Sequence, residues 1–229
     1  MDAFIITIDG PAGSGKTTLA KLIAQKLNLA LLESGVFYRA ITYFFMQNRI
    51  KTVNELTSDQ KIINKFKDIF SKIKIEISPT GTTLFYQGKP LKEELRTKEV
   101  EAKVSEFSAH PTVRELVTAF LRDLVKDKKI ITEGRDMGSV VFPFAKVKFF
   151  ITADLYERAK RRMKDYPDRD IEEIKHNLMM RDIIDSKREV APLVIPEGAF
   201  IIDTTNLSID EAVEKIISII NDRLCERKK

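Results

Sequence analysis

The sequence predicts an α/β protein: a parallel sheet of about five strands flanked by helices, an inserted subdomain with a small β-hairpin sheet, and a short helical lid. Three observations predict it. Short apolar runs alternate with longer amphipathic ones along the 229 residues, the rhythm of β/α units around a parallel sheet. A glycine-rich stretch stands between the first apolar run and the first amphipathic one. Near residue 73 the period switches to strict alternation, which signals a hairpin rather than another β/α unit.

The elements follow in order. Phe4–Ile8 is the first strand, and Gly10–Gly15 leads into a helix over Lys16–Leu27 with apolar positions Leu19, Ile23 and Leu27. Ala30–Leu32 is a short strand, residues 34–47 read as helix, and Glu55–Lys72 as a charged amphipathic helix. Ile73–Ile77 and Thr83–Tyr86 form the hairpin around the turn Pro79-Thr80-Gly81-Thr82. Helix resumes over Val113–Lys126, strands over Lys129–Thr132 and Val147–Thr152, and helices over Leu155–Lys164 and Ile171–Asp185. Residues 165–169, with Pro167, read as a hinge or lid tip between those helices. Ala199–Ile202 is the last strand. Ser208 caps the closing helix to Leu224, with Glu211 at the capping-box position. One domain results. Its core is about 1–54, 110–157 and 186–229, the insertion about 55–109 and the lid about 158–185.

Composition narrows the function. The 43% hydrophobic content suits a packed core. No stretch reaches the ~18 consecutive apolar residues of a membrane helix, and no basic segment precedes an apolar run as in a signal peptide. The expectation is a cytoplasmic protein, monomeric by default. The single cysteine, Cys225, fits a reducing compartment and reads as a small residue on a terminal helix. His110 and His176 have no metal-ligand spacing. The net charge of +5 admits nucleic acid, a membrane surface or small anions. The most charged segment, 154–189, is balanced in sign, and Trp is absent. Small polyphosphates are the natural partner.

Gly10-Pro11-Ala12-Gly13-Ser14-Gly15-Lys16-Thr17 fits G-x-x-x-x-G-K-[ST], with a strand before it and a helix after it. Glycines let the backbone amides curl inward around phosphate oxygens, and the helix adds its positive end. Lys16 is placed for the β- and γ-phosphates and the Thr17 hydroxyl for Mg²⁺. With Thr18, these residues form the expected ATP site.

Ligands in such folds sit beyond the carboxyl ends of the strands. There the sequence places Glu33-Ser34-Gly35 with Tyr38 and Arg39, and Glu133-Gly134 with Arg135 and Asp136. Arg181, Asp185 and Arg188 share a helix face if the helix persists that far. They could clamp a phosphate and a sugar hydroxyl, and spacing alone favours a solvated salt-bridge ladder instead. Arg158, Arg161 and Arg162 share another face, either a phosphate-facing lid or a solvated basic surface.

These motifs in this order resemble the bacterial cytidylate kinase family of nucleoside monophosphate kinases. The resembling stretches are Ile8–Lys16, Ser34–Arg39, Leu95–Val100, Glu133–Pro143 and Arg188–Leu193, spread over nearly the whole chain. The resemblance implies transfer of the γ-phosphoryl group of ATP, with Mg²⁺, to CMP and dCMP. It implies that Ser34, Arg39 and Arg135 hold the CMP phosphate, and that Ser105, Arg114 and Asp136 read cytosine. Asp185 would bind the ribose, with Arg188 beside it and Arg181 near the transferred phosphoryl group. Tyr38 would line the pocket, and Arg158 and Arg162 would serve the nucleotide from the lid. Lys16, Arg135 and Arg181 are the expected catalytic residues. Glu33 and Glu133 stand where the family commonly has Asp, keeping the charge and adding a methylene. The alternatives are a P-loop kinase for another acceptor such as UMP, and a nucleic-acid-associated ATPase.

Overall fold

The computed structural model describes residues 4–56, 58–164 and 168–225, which leaves 165–167 of the expected hinge outside the described residues. Five parallel strands form the main sheet: β1 (Phe4–Asp9), β2 (Ala30–Glu33), β6 (Lys129–Glu133), β7 (Val147–Thr152) and β8 (Phe200–Asp203). Their order is β2-β6-β1-β7-β8. In register, Ile8 lies opposite Glu133 and Ile6 opposite Val147. Strands this apolar are buried on both faces, as a doubly covered parallel sheet requires. Ile6, Ile8, Leu31 and Ile131 pack one face against α1 (Lys16–Leu27) and α8 (Ile209–Cys225). Ile5, Leu32 and Ile130 pack the other against α2 (Ser34–Gln47) and α5 (Pro111–Leu124).

The insertion forms as a second, three-stranded antiparallel sheet: β3 (Ile73–Ser78), β4 (Gly81–Tyr86) and β5 (Lys89–Leu91). It is bolted to the end of β2. Glu33 N–H donates to Thr82 Oγ1 at 3.0 Å, Thr82 N–H donates to the Glu33 carboxylate at 2.9 Å, and Thr82 Oγ1 donates to the Leu31 carbonyl at 2.8 Å. The longer side chain at position 33 thus has a structural partner.

Three expectations change. The helix expected from 55 to 72 is a short turn at Val53–Glu55 and then α3 (Asp59–Ser71), whose Ser58 hydroxyl accepts from Lys61 N–H. A local cap overrode the apparent continuity. Helix α4 (Lys98–Ala109) was not expected, although Thr97 caps it and Val100, Val104 and Phe107 are buried at helical spacing. The edge strand β5 was missed because three residues containing Pro90 carry no pattern of their own. The segment expected as a lid, about 158–185, is spanned by helices that run beyond it, α6 (Leu155–Met163) and α7 (Ile171–Lys187). Ser208 and Glu211 make the reciprocal capping box ahead of α8, as expected.

Candidate active site

The carboxyl ends of β1, β2 and β6 open into a cavity of about 690 Å³. All the expected site residues line it except Gly10, Pro11 and Arg158.

At the end formed by the glycine-rich loop, residues 12–19 line the wall. Gly10 must be glycine: its φ is +146°, and a Cβ there would lie 2.0 Å from the Ile151 carbonyl oxygen. Lys16 is folded onto its own loop, donating to the Pro11 carbonyl at 2.6 Å and to Ser14 Oγ at 3.4 Å. Burial depresses its pKa well below the usual lysine value, and the Arg135 guanidinium pushes it further. A phosphate anion beside it would oppose both influences by favouring the charged form.

Arg158 is placed differently from Arg161 and Arg162. Its Nη1 donates to Asp182 at 2.5 Å and to the Ala12 carbonyl at 2.9 Å, and its Nε to the Ala153 carbonyl at 3.1 Å. It is a buried strut beneath the phosphate loop, neither a solvated face nor a cavity wall. Arg161 and Arg162 line the cavity instead. Arg161 holds Thr204 through Nη1 at 2.9 Å, and Arg162 reaches Glu101 of α4 at 3.4 Å.

Asp182 was missed in the sequence. Its carboxylate also accepts the Ala12 N–H at 3.0 Å, so α7 is tied directly to the phosphate loop. Asp182→Ala leaves a guanidinium and an amide without their acceptor. We expect a loss of roughly 1–3 kcal/mol in urea unfolding together with a raised KM for the nucleoside triphosphate. An unchanged KM would remove the link between α7 and the loop.

At the end away from the glycine-rich loop, Arg114 and Asp136 form a buried pair, Nη2 to Oδ2 at 2.5 Å, with both side chains 2% exposed. Arg114 Nη1 also donates to the Ser108 carbonyl at 3.0 Å, and its guanidinium stacks 5.1 Å over the Tyr38 ring. The Tyr38 hydroxyl is buried, and burial pushes its pKa up, against the pull of Arg114. Ser34 Oγ donates to the Glu133 carbonyl at 2.9 Å, fixing β2 to β6 where both enter the site.

Between the two ends the arginines converge. Arg135 Nε donates to Asp185 at 2.9 Å, and Arg188 Nη1 lies 3.5 Å from the same carboxylate. Asp185 and Arg188 have side chains 6% and 4% exposed, so the solvated ladder that spacing favoured does not exist. Helix α7 ends at Lys187, with Arg188 as its C-cap residue. Burial alone would raise the Asp185 pKa, but Arg135, Arg188 and Arg181 outweigh it and hold the carboxyl below its usual range. Arg181 is brought down to about 10 by burial and by Arg135 beside it. Burial likewise lowers Arg39. These cations outnumber the anions that face them and present a site for polyphosphate.

Asp9 is the other residue missed. It is fully buried at the end of β1 and accepts the amides of Met137 and Gly138 at 2.8 and 2.7 Å. Burial pushes its carboxyl up to about 7, against the pull of those amides.

Residues 6–222 match the family model described as cytidylate kinase. A cytidylate kinase of Geobacillus sp. (strain WCH70) is 41% identical over 224 residues, covering 96% of this chain and 97% of its own. One from Anoxybacillus flavithermus is 40% identical over 223 residues, covering 96% of each. Among solved structures, an uncharacterized protein from Eubacterium ventriosum has the same fold, with TM-score 0.51 and 14% identity over 96% of this chain and 98% of its own.

Proposed function

The chain belongs to the cytidylate kinase family, and from that premise we propose how its cavity performs the reaction. The enzyme transfers the γ-phosphoryl group of ATP to CMP, giving ADP and CDP. The observation that carries the assignment of residues is the convergence of Lys16, Arg39, Arg135 and Arg181 in one cavity, between the phosphate loop and the Arg114–Asp136 pair.

The phosphates of ATP lie along the amides of residues 13–17, with Lys16 turned from the Pro11 carbonyl onto the β- and γ-phosphates. CMP lies opposite. Its phosphate meets Arg39, Arg135 and Ser34, its ribose meets Asp185, and its cytosine meets Asp136, Arg114 and Ser105. A CMP phosphate oxygen attacks the γ-phosphorus in line, the bond to the ADP oxygen breaks, and ADP leaves. That oxygen is largely ionised at neutral pH, so no strong general base is needed. The residues contribute position and positive charge on the equatorial oxygens, with Arg181 nearest the moving group. Mg²⁺ fits the donors present, which are hard oxygens: the Thr17 hydroxyl on the cavity wall, with the Glu133 carboxylate in the same cavity. When bound, the ion neutralises phosphate charge. The insertion at about 55–109 and the lid at about 158–185 close over the substrates and exclude water.

No helix among the described residues is long and apolar enough to cross a membrane. Cytoplasmic placement and a monomeric state complete the reading.

A coupled ADP-release assay with ATP–Mg²⁺ and each of CMP, dCMP, UMP, AMP, GMP or no acceptor tests it. Turnover concentrated on CMP and dCMP is expected. Equal turnover with UMP or AMP would remove the base-reading assignment. Acceptor-independent release stimulated by RNA would remove the kinase assignment.

A further inference from the structure

An aspartate at the N-cap of a helical turn ordinarily sets its carboxylate on the amides of that turn. Asp136 stands at that position for the wide turn Met137–Val141, and its side chain does not cap it. Its Oδ2 takes Arg114 Nη2–H instead. The first amides of the turn are nonetheless satisfied, from elsewhere in the chain. Asp9 accepts Met137 N–H through Oδ1 and Gly138 N–H through Oδ2. Both oxygens of a fully buried carboxylate are given to a segment 128 residues away in sequence. Gly138 permits the approach: a Cβ there would lie 2.6 Å from Thr7 Oγ1 and 3.2 Å from Asp9 Oδ2.

We propose that Asp9 is a positioning residue for base recognition, capping the 137–141 turn in place of Asp136 so that Asp136 keeps its carboxylate on Arg114 at the acceptor pocket. The proposal rests on the reading of Asp136 as a base-facing group. Without Asp9, two buried amides lose their acceptor, which is costly. The side chain placed by position to take the second of them, Gly138 N–H, is that of Asp136. Once Asp136 turns back onto its own helix, the Arg114 pair opens and the carboxylate leaves the pocket.

Asp9→Asn keeps the shape but points an NH₂ at an amide N–H. The expected result is a KM for CMP raised about tenfold or more, the loss of one charge-assisted bond. The preference for CMP over UMP in kcat/KM falls in step, while the KM for ATP stays nearly constant. Gly138→Ala presses the turn off an intact Asp9 and should give the same pattern. Val141→Ala, buried in the same turn, should lower Tm and preserve the preference. A CMP preference that survives Asp9→Asn overturns the proposal, as does an equal loss in Val141→Ala at equal Tm. Asp136→Ala, assayed alongside, separates the two readings. If it too keeps the preference, the base-facing role has failed; if it alone loses it, only the capping role has. Should the Asp9 and Gly138 variants not fold, amide hydrogen exchange of the wild-type protein decides. Met137 and Gly138 are expected to exchange as slowly as the β1 amides, and fast exchange overturns the proposal.

Discussion

Replacing Lys16 by alanine is expected to abolish phosphoryl transfer while leaving the fold at least as stable as before. The two effects have one cause. Lys16 is 4% exposed, and burial together with Arg135 and Arg181 disfavours its charge. In the absence of substrate it contributes a desolvated, repelled cation held by a loop carbonyl and a hydroxyl. Removing it relieves repulsion at the cost of two hydrogen bonds. In the reaction the same cation faces phosphate oxygens that gain no better partner when it is gone. Loss of one such preorganised donor lowers turnover by about 10²–10³-fold, and against phosphate oxygens the bond from Lys16 is charge-assisted. Coupled ADP release at saturating CMP would measure the first effect and urea unfolding the second. Turnover within about tenfold of wild type would remove Lys16 from the chemistry. Activity and stability falling together would make it a structural lysine.

Much of this was legible because it is local. The phosphate loop is read from eight consecutive residues and its two flanks. Each parallel strand is a short apolar run, and the charged groups following β2 and β6 lie where the fold places ligands. Helix α4 was equally legible from Thr97, Val100, Val104 and Phe107, and was overlooked beside the stronger hairpin signal. What was not legible is long-range. Asp9 meets amides 128 residues away, and Asp182 meets an amide 170 residues away; no spacing rule connects them. Arg158 shows the same limit from the other side. Spacing put it on a face with Arg161 and Arg162, but not which neighbours that face would meet, and Asp182 and Ala12 claimed it. The one sequence signal for Asp9 was a lone acid closing an otherwise uncharged strand.

Removing the Asp136 carboxylate is expected to cost both stability and selectivity, and the two losses can be separated. Asp136→Ala leaves the Arg114 guanidinium, 2% exposed, without its counter-charge. Breaking one side of a buried pair costs about 3–5 kcal/mol. Ser108's carbonyl and the Tyr38 ring remain as partners, so the smaller end of that range is expected. Asp136→Asn keeps an acceptor for Nη2–H and should lose less. The same variants should lose discrimination between CMP and UMP, because a carboxylate accepts from the amino group of cytosine and repels the carbonyl that uracil carries there. Stability alone cannot establish that role. The double variant Asp136→Leu with Arg114→Met replaces the ion pair by apolar groups, which at buried pairs is often close to neutral. It should regain much of the stability lost in Asp136→Ala and none of the CMP preference. Urea unfolding and kcat/KM for CMP and UMP on the three variants give the result. If the double variant regained the preference along with the stability, Asp136 and Arg114 would be supports of the pocket, and the base would be read by other groups.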